Sequence, residues 1–150
     1  MTAVAMLVLT LALAACGGET DPIRRLVAQA ESAVEARDAE AVAGLVTQGF
    51  RGPGGKGRPE LLSTLRRYFL AYESIEVVVY DLSVEGGETN PHVSFIAEVS
   101  GDARRIGALR GLLPPEAVYR LELELEEEDG EWRIAQADWK AIQPPGVPGT

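Results

Sequence analysis

The sequence predicts an α+β domain: three N-terminal helices packed on one face of a curved, mostly antiparallel sheet of four strands. Three observations point there. Apolar residues recur at helical spacing from Ile23 to Tyr72, and from Ile75 onward the period changes to two. Helices grouped ahead of strands place the helices together against one sheet face. An Asp129-Gly130 pair sits between the last two alternating runs and signals a tight hairpin, hence antiparallel neighbours.

Each element has its own local reason. Asp21-Pro22 supplies a capping side chain and a first-turn proline, a good helix start. Ile23, Leu26, Val27, Ala30 and Val34 then form one apolar face, and Arg37-Asp38 ends the run. Asp38 caps a second, short helix with Ala41, Val42, Leu45 and Val46 expected inside and Gly49-Phe50 closing it. Arg51 to Pro59 holds four glycines and two prolines and reads as a loop. Pro59 opens a third helix that carries Leu61, Leu62, Leu65, Tyr68, Phe69 and Tyr72 on or near one face.

The first strand is Ile75 to Val84, rich in β-branched residues, followed by a turn at Gly86-Gly87. In the second, Val93, Phe95, Ala97 and Val99 alternate with His92, Ser94, Ile96 and Glu98. Residues 101–116 fit either a helical turn or a lid, stopped by Pro114-Pro115. Tyr119, Leu121, Leu123 and Leu125 alternate with Arg120, Glu122, Glu124 and Glu126 in the clearest strand of the chain. Trp132 to Ile142 is the fourth strand, and residues 143–150 form a tail without core residues.

Ahead of this body, Thr2 to Ala15 carries no charge. Its apolar stretch is short of the roughly 20 residues a bilayer-crossing helix needs and suits a secretion signal instead. Leu13-Ala14-Ala15-Cys16 resembles the bacterial lipobox: an aliphatic residue, two small residues, then cysteine. The resemblance implies a signal peptide over residues 1–15, lipid on Cys16, a linker over 16–21 and a domain over 22–142. It departs from the usual signal in lacking an opening Lys or Arg. With Gly17 rather than Asp after the cysteine, it implies an outer-membrane anchor facing the periplasm. Several buried acyl methylenes, at about 0.8 kcal/mol each, would make such anchoring durable.

Composition narrows the partners. The formal net charge is −9, so no basic stripe for nucleic acid is expected, nor flat docking on anionic lipid. The membrane contact is expected through the lipid alone. One cysteine excludes an intramolecular disulfide. With a single histidine besides, no metal site is expected, and no motif calls for a cofactor.

Candidate chemistry is sparse. His92 has no partner acid at a recognisable spacing and reads as a solvated strand-end residue. Glu122, Glu124 and Glu126 share one strand face about 7 Å apart and read as charges that discourage edge pairing rather than as a calcium site. Gly52 to Arg58 fails as a phosphate loop, because no Ser or Thr follows Lys56. Tyr68, Tyr72, Tyr80, Phe95 and Trp139 are the candidate lining of an apolar pocket, with Phe69 and Trp132 as further aromatics, although aromatics in such positions are more often simply core. Asp138 is the best single acid for such a pocket, but by alternation only one of Asp138 and Trp139 can point inward.

Three segments together resemble the nuclear-transport-factor-2-like superfamily, the cystatin-like α+β cone. They are Ala33 to Leu45 with its Asp38-started short helix, Gly57-Arg58-Pro59-Glu60-Leu61-Leu62, and the hairpin Asp129-Gly130-Glu131-Trp132-Arg133-Ile134. The resemblance spans about residues 22–142 and implies a pocket between sheet and helices. In the family's isomerases an aspartate base and a Tyr/Asp oxyanion pair line that pocket. Here the first helix has no tyrosine, and Arg51 rather than an acid follows Phe50, so that mechanism is not carried over. The expectation is a lipid-anchored, non-catalytic binding domain for a small apolar ligand or a protein partner. The alternatives are an isomerase or lyase with a pocket carboxylate as base, and a dimerising envelope accessory whose copies meet through the sheet face.

Overall fold

The computed structural model describes residues 21–103 and 116–142. The leader, Cys16, the segment 104–115 and the tail from residue 143 lie outside the described residues. Among the described residues three α-helices precede most of the sheet: α1 (Pro22–Glu35), α2 (Ala39–Ala43) and α3 (Arg58–Ala71). The strands are β1 (Val46–Arg51), β2 (Tyr72–Glu85), β3 (His92–Ala103), β4 (Glu116–Glu128) and β5 (Glu131–Ile142). They form one sheet in the order β1-β5-β4-β3-β2.

The expected four-stranded sheet therefore has five strands. β1 was expected to be the end of the second helix. It pairs parallel to β5, with Val46 opposite Ile134 and Arg51 opposite Gln136. Its burial alternates poorly: Val46, Thr47 and Phe50 are buried, while Gln48 and Gly49 are exposed. No period of two is legible in such a run; only pairing with a strand 80-odd positions later makes it a strand. The backbone bond from Ile134 N–H to the Leu45 carbonyl (2.9 Å) opens this pairing. The guanidinium of Arg133 also donates to the Gly44 carbonyl and ties the same corner to the last hairpin.

The helix starts follow their caps. Asp21 Oδ1 accepts from Ile23 N–H and Asp38 Oδ1 from Ala41 N–H, each at 2.9 Å. α2 buries Ala39 and Ala43, not the expected Ala41, which is exposed. The helix stops at Ala43, so Leu45 and Val46 leave it before they complete a helical face. α3 begins at Gly57, whose N–H donates to Glu60 Oε2 at 3.1 Å. Between α1 and α2, Arg37 adopts φ 54 and turns the chain.

β2, β3, β4 and β5 run antiparallel in sequence order. The Asp129-Gly130 turn has φ 55 and 78, the paired positive angles that a two-residue hairpin demands. Register shifts interrupt the β2–β3 and β4–β5 ladders and bend the sheet. The second of these leaves Ala135 unpaired between Ile134 and Gln136, so Ile134, Ala137 and Trp139 can share the inner face. Val93, Phe95, Ala97, Leu123 and Leu125 supply the centre of the core, against which Leu26 and Val27 of α1 and Phe69 of α3 pack. Among the described residues no helix is long and apolar enough to cross a membrane.

Candidate functional site

The inward face of α3 is only half buried. Leu61, Leu62, Leu65 and Tyr68 point toward the sheet yet retain exposure, whereas Phe69 is buried. The space between explains this. A lobe of about 510 Å³ lies under the first two turns of α3, and an adjoining lobe of about 300 Å³ lies under its last two. They share walls from α1 (Ala30, Val34), α3 (Thr64, Leu65) and the sheet (Phe95, Leu121, Trp139). Side by side, they are two largely apolar lobes, each within the size range of small-ligand sites.

The polar groups sit at its ends. The loop residues Gly52, Pro53, Lys56 and Gly57, with Glu60, border the first lobe. Lys56 and Glu60 are exposed and mark where that lobe meets solvent. The second lobe has Glu31, Tyr68 and Tyr119 on its walls. Burial, and secondarily the nearby Glu35 carboxylate, hold the Glu31 carboxyl above its ordinary range. Burial also pushes the Tyr68 hydroxyl well above the ordinary phenol value, helped by its hydrogen bond with Tyr72. The two tyrosine rings lie 4.8 Å apart.

The structure distributes the expected pocket residues unevenly. Phe95 and Trp139 line both lobes, and Tyr68 lines the second. Tyr72 is 1 % exposed and stands behind Tyr68 in the core. Tyr80 pairs with Ile96 on the outer sheet face, away from the cavity, because the inward positions of β2 are Ile75, Val77 and Val79. Asp138 is exposed on the outer face, opposite Glu122 in the ladder, while Trp139 takes the inner one. Cys16 lies outside the described residues.

Two further readings are corrected. His92 does have a partner acid: its Nε2 is 2.5 Å from Glu122 Oε2 across the β3–β4 ladder. A spacing of 30 residues conceals a pair that strand register brings together. Glu122, Glu124 and Glu126 do not guard an edge either, since β4 lies inside the sheet between β5 and β3. Among the described residues no cluster of His, Cys, Asp and Glu could hold a metal ion. Lys56, Thr64 and Leu121 are wall residues outside the expected aromatic lining. Thr64 was findable, since it shares a helix face with Tyr68 one turn along, whereas Leu121 joins the wall by standing between Phe95 and Trp139 across the ladders.

Comparison with solved structures places this architecture. A scytalone dehydratase-like protein from Novosphingobium aromaticivorans superposes with a TM-score of 0.69 at 13% identity, covering 85% of this chain and 93% of that one. A hexachlorocyclohexane dehydrochlorinase, LinA-type3 from Novosphingobium barchaimii, gives 0.66 at 14% identity, covering 86% and 92%. A protein of unknown function with a cystatin-like fold from Nostoc punctiforme gives 0.63 at 14% identity, covering 85% and 92%. The fold is the cystatin-like, nuclear-transport-factor-2-like one. At these identities the likeness concerns the fold, which carries no activity with it. No protein-family model matches the sequence, and no curated protein does.

Proposed function

We propose that this cystatin-like domain binds a small apolar or amphipathic molecule in the cavity beneath α1 and α3, without catalysing its conversion. The two adjoining apolar lobes support the reading most directly. The acid singled out from sequence, Asp138, faces solvent on the other side of the sheet, and so does the His92–Glu122 pair. Trp139 borders both lobes and serves as a built-in reporter. A thermal-shift screen with fatty acids, sterols and aromatic hydrocarbons, read beside Trp139 emission, tests it. Ligand at 100 times Kd would add about 2.7 kcal/mol to stability. No stabilisation and no emission change with any class would overturn the reading.

The domain is proposed to work at the bacterial envelope, held by lipid on Cys16 and facing the periplasm from the outer membrane. The Leu13-Ala14-Ala15-Cys16 pattern supports this. Cys16→Ser is expected to abolish labelling by radioactive palmitate; undiminished label refutes the anchor.

One observation favours a second reading, a lyase or isomerase. Glu31, with its raised carboxyl, shares the second lobe with Tyr68 and Tyr119, and two of the similar folds bear dehydratase and dehydrochlorinase names. Such an enzyme would move protons between solvent and bound ligand. Deuterium exchange into the ligand that Glu31→Gln removes would establish it; no exchange in the unaltered protein would end it. The accessory reading rests on the outer sheet face, where Val78 is 56% exposed beside Tyr80 and Ile96. Light scattering at rising concentration would show the homodimer or its absence.

A further inference from the structure

We infer that the cavity takes a single-chain amphiphile bearing a carboxylate, with the carboxylate at Lys56 and the hydrocarbon chain running under α3 toward Tyr68. The inference rests on the ligand-binding reading above and names the ligand class. Charge and shape carry it together. The chain has a formal net charge of −9, yet Arg51 to Pro59 contains Arg51, Lys56 and Arg58 and no acid. The mouth of the cavity is thus a local exception to the acidity of the rest.

The three cations are not equivalent. Arg58 donates through Nε to the Ala43 carbonyl at 3.0 Å, and Arg51 donates to the Phe50 carbonyl at 3.1 Å. Glu60, the acid at the same mouth, accepts from the Gly57 N–H and caps α3. Lys56 alone borders the cavity as a cation with no hydrogen bond or ion pair among the described residues. Its position is set by its own backbone: the Lys56 carbonyl accepts from Gly52 N–H at 2.7 Å and closes the loop. A flexible ammonium at a wet rim is a point charge that suits a carboxylate without a fixed geometry.

The tail end is equally specified. From Gly57 to Tyr68 the two adjoining lobes follow α3 for three turns, about 16 Å at the helical rise of 1.5 Å per residue. Along that path the wall is Leu61, Leu65, Phe95, Leu121 and Trp139, with Thr64 and Tyr119 adding hydroxyls. At the far end, Tyr68 has its hydroxyl engaged by Tyr72. The one ionisable acid on this lobe's wall, Glu31, would repel a second anionic group on the ligand. A long chain with one anionic end fits this arrangement better than a compact polar ring does.

The test compares palmitate with hexadecanol, which share the chain and differ at the head. Binding to the full chain is followed by Trp139 emission at low and high salt. Palmitate is expected to bind about two- to five-fold tighter at low salt, the scale of a solvent-exposed ion pair, and the preference is expected to fade at high salt. Lys56→Gln is expected to erase the preference while hexadecanol binding is kept, and Lys56→Arg to retain it. Equal affinity for both ligands in the unaltered protein overturns the inference but leaves the apolar cavity standing. So does a palmitate preference that survives Lys56→Gln. Failure of both ligands to bind, with other apolar classes also silent in the screen, defeats the ligand-binding reading itself.

Discussion

The Arg37 guanidinium donates through Nη1 to the backbone carbonyl of Tyr72 at 2.9 Å. Arg37 lies just past the end of α1, and Tyr72 is where α3 gives way to β2 without an intervening turn. That junction contains no glycine or proline to mark it. The carbonyl left over at a helix end needs a donor, and a side chain 35 positions away supplies it. The neighbouring Glu35 accepts from Val77 N–H at 3.1 Å, so the end of α1 is pinned twice to the edge strand β2. The C-terminal end of α1 is thereby held against the sheet where α3 runs into β2.

Arg37→Ala is expected to lower unfolding stability by about 1–2 kcal/mol, the scale of a partly buried hydrogen bond to a charged donor. Denaturant titration measures it. A loss below roughly 0.3 kcal/mol would show that water replaces the guanidinium at no cost.

Gly101 allows a close approach of another kind. A Cβ there would lie 2.7 Å from the Ser74 carbonyl oxygen and 2.9 Å from the Tyr72 ring. Neither backbone nor a fully buried ring can yield cheaply. Gly101→Ala is expected to cost about 1–3 kcal/mol and to loosen the β2–β3 bulge, where Tyr72 and Ser74 change register. Gly49→Ala, whose Cβ would meet nothing within 4 Å, is the control. Equal effects of the two would contradict the packing at Gly101.

The cavity predicts an inequality between two leucines. Leu125 is 1 % exposed in the core, so Leu125→Ala is expected to cost about 2–5 kcal/mol. Leu65 borders both lobes and already lacks neighbours on one side, so Leu65→Ala is expected to cost clearly less. Comparable losses at the two positions in thermal or denaturant unfolding would mean that Leu65 is packed as core and the cavity closed.

Tyr68 gives a pH signature with a definite sign. Its folded-state pKa is raised above the ordinary value of 10.0 by burial and by the Tyr72 hydrogen bond. The folded protein therefore holds this proton more tightly than the unfolded chain. Its contribution is fully present below pH 10 and is lost progressively as pH rises above that value. Tyr68→Phe is expected to flatten the alkaline fall in stability relative to the unaltered protein. An identical alkaline slope in both proteins would show that Tyr68 is not the group responsible.

Local signals in the sequence carried much of the fold. The Asp21 and Asp38 caps start α1 and α2 where their side chains accept backbone N–H groups, and Asp129-Gly130 makes the hairpin that its positive φ angles require. Alternation identified the inner faces of β3 and β4 correctly, since neighbours in a strand point to opposite sides regardless of what pairs with them. Of the candidate pocket, Tyr68, Phe95 and Trp139 reach the cavity.

What tertiary structure alone decided was long-range. β1 exists only because β5 offers it a ladder, and a strand pairing across more than 80 residues leaves no local trace. Which of Asp138 and Trp139 faces inward turned on the unpaired Ala135, one residue that reverses the parity of the rest of β5. His92 met Glu122 through register, and Tyr80 went to the outer face with its strand. Caps, turns and periods are short-range consequences of side-chain chemistry, so they are written in the chain. Register, bulges and cavities arise from how distant segments are brought against one another, and only the folded molecule expresses that.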